Sequence, residues 1–307
     1  MSMSLPKIKI IITVCLYILT SACGAKPIPV TVTVSDGLYT FNYKEITFGV
    51  SAETGGRIVS YACDGKELLI PSSVHGENYG ATLWPSPQSA WGWPPSPVLD
   101  LKPYEATLVR DTLFLVSQPD STSGYLFKKK FYINAKDHSV NIVYSITNIS
   151  EKQKQVAAWD VLRTTPYISF FPVDNSSVSL PPSNLKNVIV ENGILWFTFC
   201  PDSVLQRQKL FSTAKGGWLA HAGNNGLLFI KTFPDITDSA IPPGEGEVEI
   251  YVSEHGLYTE LENHGSYTML QPGETLNYPE KWYLVETNKT RDHEKLLQKV
   301  YEKLNIK

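Results

Sequence analysis

The stretch "YTELENHGSYTMLQPGETLNYPEKWYLV", residues 258–285, decides the class of fold. Its first five residues alternate like a strand, "QPGE" is a turn, and "KWYLVE" (281–286) is a second run rich in β-formers. In a strand, residues two apart share a face at roughly 6.5–7 Å. Tyr258, Glu260 and Glu262 therefore point one way, and Thr259 and Leu261 the other. Two carboxylates on one face can supply a general base or accept hydrogen bonds. The plain alternative is an acidic strand face turned to water.

Working outward, the same texture recurs. "VEIYVSE" places Val248, Ile250 and Val252 on one side, with Glu249 and Tyr251 on the other. Further strands are predicted at "KEITFGV", "GRIVSYA", "TLFLVSQ", "SVNIVYSITN", "LWFTF" and "LLFIKTF", separated by turns such as "DGK", "ENG", "NNG" and "PPGEG". Many close strands without alternating helices imply an all-β sandwich or barrel. The exception is "RDHEKLLQKVYEKL", which puts Leu296, Leu297, Val300, Tyr301 and Leu304 on one helical stripe, an amphipathic C-terminal helix expected to lie across a sheet.

The chain has 307 residues, a formal net charge of −3, and 42% hydrophobic against 19% charged residues. That balance argues against a nucleic-acid partner, which calls for a basic stripe. At the N-terminus, Lys7 and Lys9 precede the apolar run "IIITVCLYILTSAC", too short for a mature membrane span. It reads as a secretory signal, residues 1–22. "LTSAC" resembles a bacterial lipobox, which implies an exported chain anchored to the cell envelope through lipid on Cys23, with a tether over 23–35 and one β domain over 36–307. Ordinary cleavage after Ala22 is the alternative. Cys63 and Cys200 then remain, either as a disulfide or as separate thiols. The six histidines show neither HxH nor HExxH, so no metal and no cofactor is expected.

Two more stretches carry candidate chemistry. "WPSPQSAWGWPPSP" (84–97) holds Trp84, Trp91 and Trp93 within a proline-stiffened segment. Indole faces stack on the C–H faces of pyranose rings, so the segment reads either as a sugar platform or as a packed corner. "AAWDVLRTTP" (157–166) places Trp159, Val161 and Arg163 on one face and Asp160 and Leu162 on the other. A Trp–Arg pair can clamp a sugar; the alternative is a buried tryptophan beside a rim salt bridge. His75 is a lone histidine in a polar loop.

Taken in order, "SAETGGRIVSYACDGKELL" (51–69), the "LWPSPQSAWGWPP" loop, "ITN" (146–148) and residues 258–285 resemble the galactose-mutarotase-like (aldose 1-epimerase-like) superfamily over about residues 43–286. The likeness is nearest to an uncharacterised family of bacterial lipoproteins of that fold. The resemblance implies a β-supersandwich with a concave sugar site. In the mutarotases a late-strand glutamate takes the anomeric proton and a central-strand histidine protonates the ring oxygen. Glu262 falls at the glutamate's place. The histidine does not carry over: Trp159 and Asp160 stand there, and Asp160 would need burial to raise its pKa from the usual value of about 3.9. His75 and His264 are the other acids to consider.

Three functions follow. The first is an exported, lipid-anchored carbohydrate-binding protein in which Trp84, Trp91, Trp93 and Trp159 line the cleft, Gln88 and Arg163 donate, and Glu260 and Glu262 accept. The second is an aldose 1-epimerase with Glu262 as base and Asp160 as an unusual acid. The third is a structural envelope lipoprotein without a site.

Overall fold

The computed structural model describes residues 28–174, 179–204 and 206–306. The expected signal segment and Cys23 lie outside them. Among the described residues the chain forms two large antiparallel sheets, with one long helix at the C-terminus. The first sheet has eleven strands, and from its middle to one edge it runs Arg57–Cys63, Ala81–Ser86, Lys154–Thr164, Thr259–His264, Val248–Val252 and Gln208–Ser212. The second has ten, centred on Trp218–Ala222, Leu227–Thr232, Thr275–Glu286 and Ser139–Asn148. All-β architecture and the C-terminal helix agree with the sequence.

One expectation needs correcting at the N-terminal end. Residues 31–35 are not tether: Thr31–Ser35 is a strand paired with Leu38–Tyr43. "TVTVS" alternates β-branched residues with no proline among them, and that pattern outweighs the prolines just before it.

Between the sheets lies the main core, in which Phe48, Tyr61, Phe131, Phe229 and Trp282 are linked by a chain of ring contacts. The helix His293–Leu304 starts from Asp292, whose side chain accepts a hydrogen bond from the Lys295 N–H. It presses Leu296 and Val300 onto the outer face of the second sheet, against a patch holding Phe170, Trp196, Trp218 and Ile230. Cys63 and Cys200 are both free thiols, one buried and one exposed, so they do not form the disulfide that was one of the two readings.

The "GGRI" turn shows why small residues stand there. Gly55 sits at φ +61°, and a Cβ on it would lie 2.1 Å from the Asp100 carbonyl oxygen. Asp100, at the end of the short helix Pro97–Asp100, accepts from Arg57 Nη2 at 3.0 Å and from Trp84 Nε1 at 2.9 Å. The proline-rich segment is thereby pinned to the first sheet. Trp84 itself belongs to a strand, Ala81–Ser86, and a short 3-10 turn over Gln88–Ala90 follows.

Candidate functional site

The outer face of the first sheet carries a cleft of about 870 Å³. Its lining includes Trp84, Gln88, Trp93, Trp159, Tyr251 and Glu260, with Asn78, Arg207, Lys209 and Tyr258 among the rest. The register explains why these groups meet. Trp159 lies across from Trp84 on one side and His264 on the other, Val161 from Glu262, and Arg163 from Glu260. One strand further, Glu249 pairs with Glu262 and Tyr251 with Glu260. Because these positions share one parity, all their side chains stand on one face.

The tryptophans divide by role. Trp93 is 55% exposed and stands edge-on to Trp84, with ring centroids 5.7 Å apart. Trp84 and Trp159 are nearly buried, 5.2 Å apart and edge-on, and form the floor. Trp91 donates to the Pro85 carbonyl and lines a separate hollow of about 440 Å³ with Pro87, Pro94, Tyr125 and Lys154. The indoles therefore do not make one continuous wall: Trp93, Trp84 and Trp159 face the cleft, and Trp91 braces them from behind.

Arg163 does not reach the cleft as a donor. It is fully buried, bonded through Nε to Glu260 Oε1 at 2.8 Å, with its guanidinium 5.0 Å from the Trp84 ring centroid. Glu260 is the member of that pair which reaches the lining. Glu262 is fully buried just beneath the cleft. Its Oε2 accepts from Trp159 Nε1 at 2.8 Å and from Lys209 Nζ at 3.1 Å, while Oε1 is buried with no hydrogen bond. Burial raises its pKa well above the usual carboxylate range; Lys209 opposes the shift, and Glu249 and Glu260 add to it.

Asp160 is corrected as an acid for this cleft. One residue on from Trp159, strand alternation turns it to the opposite side of the sheet, into the interior. There Lys231 Nζ lies 3.0 Å from Oδ2, with both groups fully buried, and the Tyr144 hydroxyl donates to Oδ1 at 3.0 Å. Asp160 belongs to a polar contact between the sheets. His75 packs edge-on against Tyr258 at the cleft, ring centroids 5.5 Å apart, and its Nδ1 accepts from the Asn78 N–H.

Several groups in the site carried no sequence signal as a set. Lys209, from a strand some fifty residues before Glu262, inserts its ammonium between Glu262 and Glu249, 2.5 Å from Glu249 Oε2. Burial opposes the charge on Lys209, but the two carboxylates overcome that and raise its pKa. The same ammonium lies 5.2 Å from the Trp159 ring centroid. Glu249 is fully buried, and Lys209 and His264 together overcome the effect of burial to hold its pKa well below the usual range. His264 stacks on Trp159, centroids 5.0 Å apart. Glu245 accepts from the Gln88 N–H at 2.8 Å, which ties the proline-rich segment to this group. Only Glu249's parity, opposite to Val248, Ile250 and Val252, hinted that it shares a face with Glu262.

Residues 79–285, which include every strand that lines the cleft, match the family described as "Domain of unknown function (DUF4380)". The chain belongs to the DUF4380 family. No curated protein matches it. Among solved structures, this DUF4380 chain is similar to a putative aldose 1-epimerase from Escherichia coli, at 14% identity and TM-score 0.55, covering 83% of this chain and 100% of that one. It is similar to a galactose mutarotase-like protein from Clostridium acetobutylicum, at 10% identity and TM-score 0.57, over 86% of this chain and 100% of that one. A putative aldose 1-epimerase from Klebsiella pneumoniae matches at 12% identity and TM-score 0.58, over 91% and 87%. At these identities the likeness establishes the fold: this DUF4380 chain is a galactose-mutarotase-like β-sandwich.

Proposed function

We propose that the chain is an exported lipoprotein that binds carbohydrate in the cleft of its first sheet. The observation that carries the reading is Trp93. A large indole left 55% exposed at the wall of a concave site, beside Tyr251, Tyr258 and Phe211, offers the flat apolar surface that a sugar ring stacks on. Gln88, Asn78, Arg207 and Glu260 supply polar partners around it for hydroxyl groups. Support for export and anchoring comes from the sequence: Lys7 and Lys9, the apolar run and "LTSAC" ending at Cys23.

A second reading, aldose 1-epimerisation with Glu262 as base, is favoured by one feature, the buried and unbonded Glu262 Oε1. Against it, Lys209 and Trp159 hold the other oxygen and keep the carboxyl beneath the cleft. Binding is therefore the reading the geometry favours.

The test is NMR of the full chain with a panel of mono- and oligosaccharides. Saturation transfer is expected without exchange peaks between anomers. Trp93→Ala is expected to weaken binding roughly tenfold, about 1.4 kcal/mol. Anomer exchange above the spontaneous rate, lost in Glu262→Gln, would replace binding with epimerisation. No transfer across the panel would sink both. Anchoring is checked by fractionation, where Cys23→Ser should leave the membrane fraction.

A further inference from the structure

Behind the cleft floor, Glu245, Glu249 and His264 converge from two adjacent strands and the loop before one of them. One ligand atom from each lies within 4.8 Å of the other two, and all three residues are buried. His264 is fully buried, and its Nδ1 is held by Ser86 Oγ at 2.9 Å. That contact turns Nε2 toward the carboxylates, where it lies 3.4 Å from Glu249 Oε1 yet completes no hydrogen bond. Lys209 occupies the other Glu249 oxygen, Oε2. Oε1, held by the Gly246 N–H at 2.6 Å, is left directed at the imidazole. Each member thus has an outer partner fixing its orientation: Ser86 for His264, the Gly246 N–H for Glu249, and the Gln88 N–H for Glu245. Such outer partners are the usual companions of metal-binding histidines and carboxylates.

We propose that Glu245, Glu249 and His264 form a binding site for a divalent transition-metal ion of the zinc class. The donor set selects the class: an imidazole nitrogen suits zinc and its neighbours, whereas calcium and magnesium take oxygen ligands. In zinc's tetrahedral geometry, bonds of about 2.0–2.2 Å put ligand atoms roughly 3.3–3.6 Å apart. His264 Nε2 and Glu249 Oε1, at 3.4 Å, already have that spacing. The trio as a whole, whose ligand atoms lie within 4.8 Å of one another, needs to close by at most about 1.5 Å. Three protein ligands leave a fourth position for water or another group. The site is separate from the sugar contacts, and the proposal stands whether or not a sugar binds. It adds a structural consequence, since Glu245 is bonded to the Gln88 backbone and His264 stacks under Trp159. An ion here would staple the proline-rich segment to the floor of the cleft.

The experiment titrates Co²⁺, then Zn²⁺ in competition, into the full chain stripped with chelator. The expected result is uptake of one ion per chain, with the visible absorption of low-coordinate cobalt. His264→Gln and Glu245→Gln should each weaken binding beyond the roughly hundredfold upper range for loss of an outer partner. Ser86→Ala keeps every ligand and should weaken it roughly ten- to hundredfold. His255→Gln, at an exposed Glu254–His255 pair, should change nothing. X-ray absorption of the zinc-loaded wild type reads the shell without any variant, and it should show one imidazole among oxygen ligands. No uptake, unchanged affinity in folded His264→Gln, dependence on His255, or sulfur in the shell would each overturn the proposal.

Discussion

Two aromatic faces flank the same core, and they are used in opposite ways. On the outer face of the second sheet, Phe170, Trp196 and Trp218 are surrounded by Ile168, Leu228 and Ile230, and the C-terminal helix closes over them. On the outer face of the first sheet, Trp84 and Trp159 are surrounded by Arg163, Lys209, Glu249, Glu260 and Glu262, and among the described residues no long helix covers them. Tryptophan content does not distinguish the two faces. Neighbours do: aliphatic neighbours invite an apolar cover, while charged neighbours bonded to one another keep the surface polar and leave an open concavity.

The sharpest break between the faces should come from stability. Trp218→Ala removes a 3%-exposed indole from under the helix and should cost about 3–5 kcal/mol in denaturant unfolding. A loss below about 1 kcal/mol would mean that the helix cover contributes little, and the contrast would fail.

The interior between the two faces should respond to acid. His221 is fully buried and neutral, bonded to Ser169 Oγ and the Thr165 carbonyl, and burial pushes its pKa down to about 4. Unfolded histidine titrates near 6.5, so between about pH 6.5 and 4 the unfolded chain binds more protons. Stability should therefore fall by about 3 kcal/mol over that window and gain no further dependence from this group below it. His221→Gln should flatten that part of the profile; an unchanged slope would place the sensitivity elsewhere.

The smallest effect belongs to the open face. Trp93→Ala, the variant expected to weaken sugar binding, should shift stability by no more than about 0.5 kcal/mol, because the indole is largely in water. A large loss would show that Trp93 is packing, and would remove the main support for the binding reading.

Much of the fold was legible because strand alternation is local. "SVNIVYSITN" is a strand over Ser139–Asn148, and the heptad-like stripe of the last helix meets the second sheet through Leu296 and Val300. The faces of Trp159, Arg163, Glu260 and Glu262 could be read in the same way. What could not be read is which strands lie side by side. Lys209 reaches Glu262 only because Gln208–Ser212 pairs with Val248–Val252, which pairs with Thr259–His264. Nothing within "RQKLFS" records that order. The resemblance put Asp160 at the acid's place although its own parity turns it away from Trp159; what the sequence does not show is that Lys231 waits there on the facing sheet. The Glu245–Glu249–His264 trio has no fixed spacing to search for, since its members meet across strands.

The alternation along Trp159–Arg163 and Leu261–His264 also acts as a proofreading device for assembly. Odd members of the first run and even members of the second face the cleft; Asp160 and Asn263 face the interior, where Lys231, Tyr278 and Glu280 bond them. A slip of one residue in either strand would exchange the two faces wholesale. Arg163 or Glu262 would then enter the apolar core without a partner, and Leu162 or Leu261 would line the cleft. Mispairing by a single step is penalised on both sides of the sheet at once, so the charged residues that shape the site also keep the central strands in register.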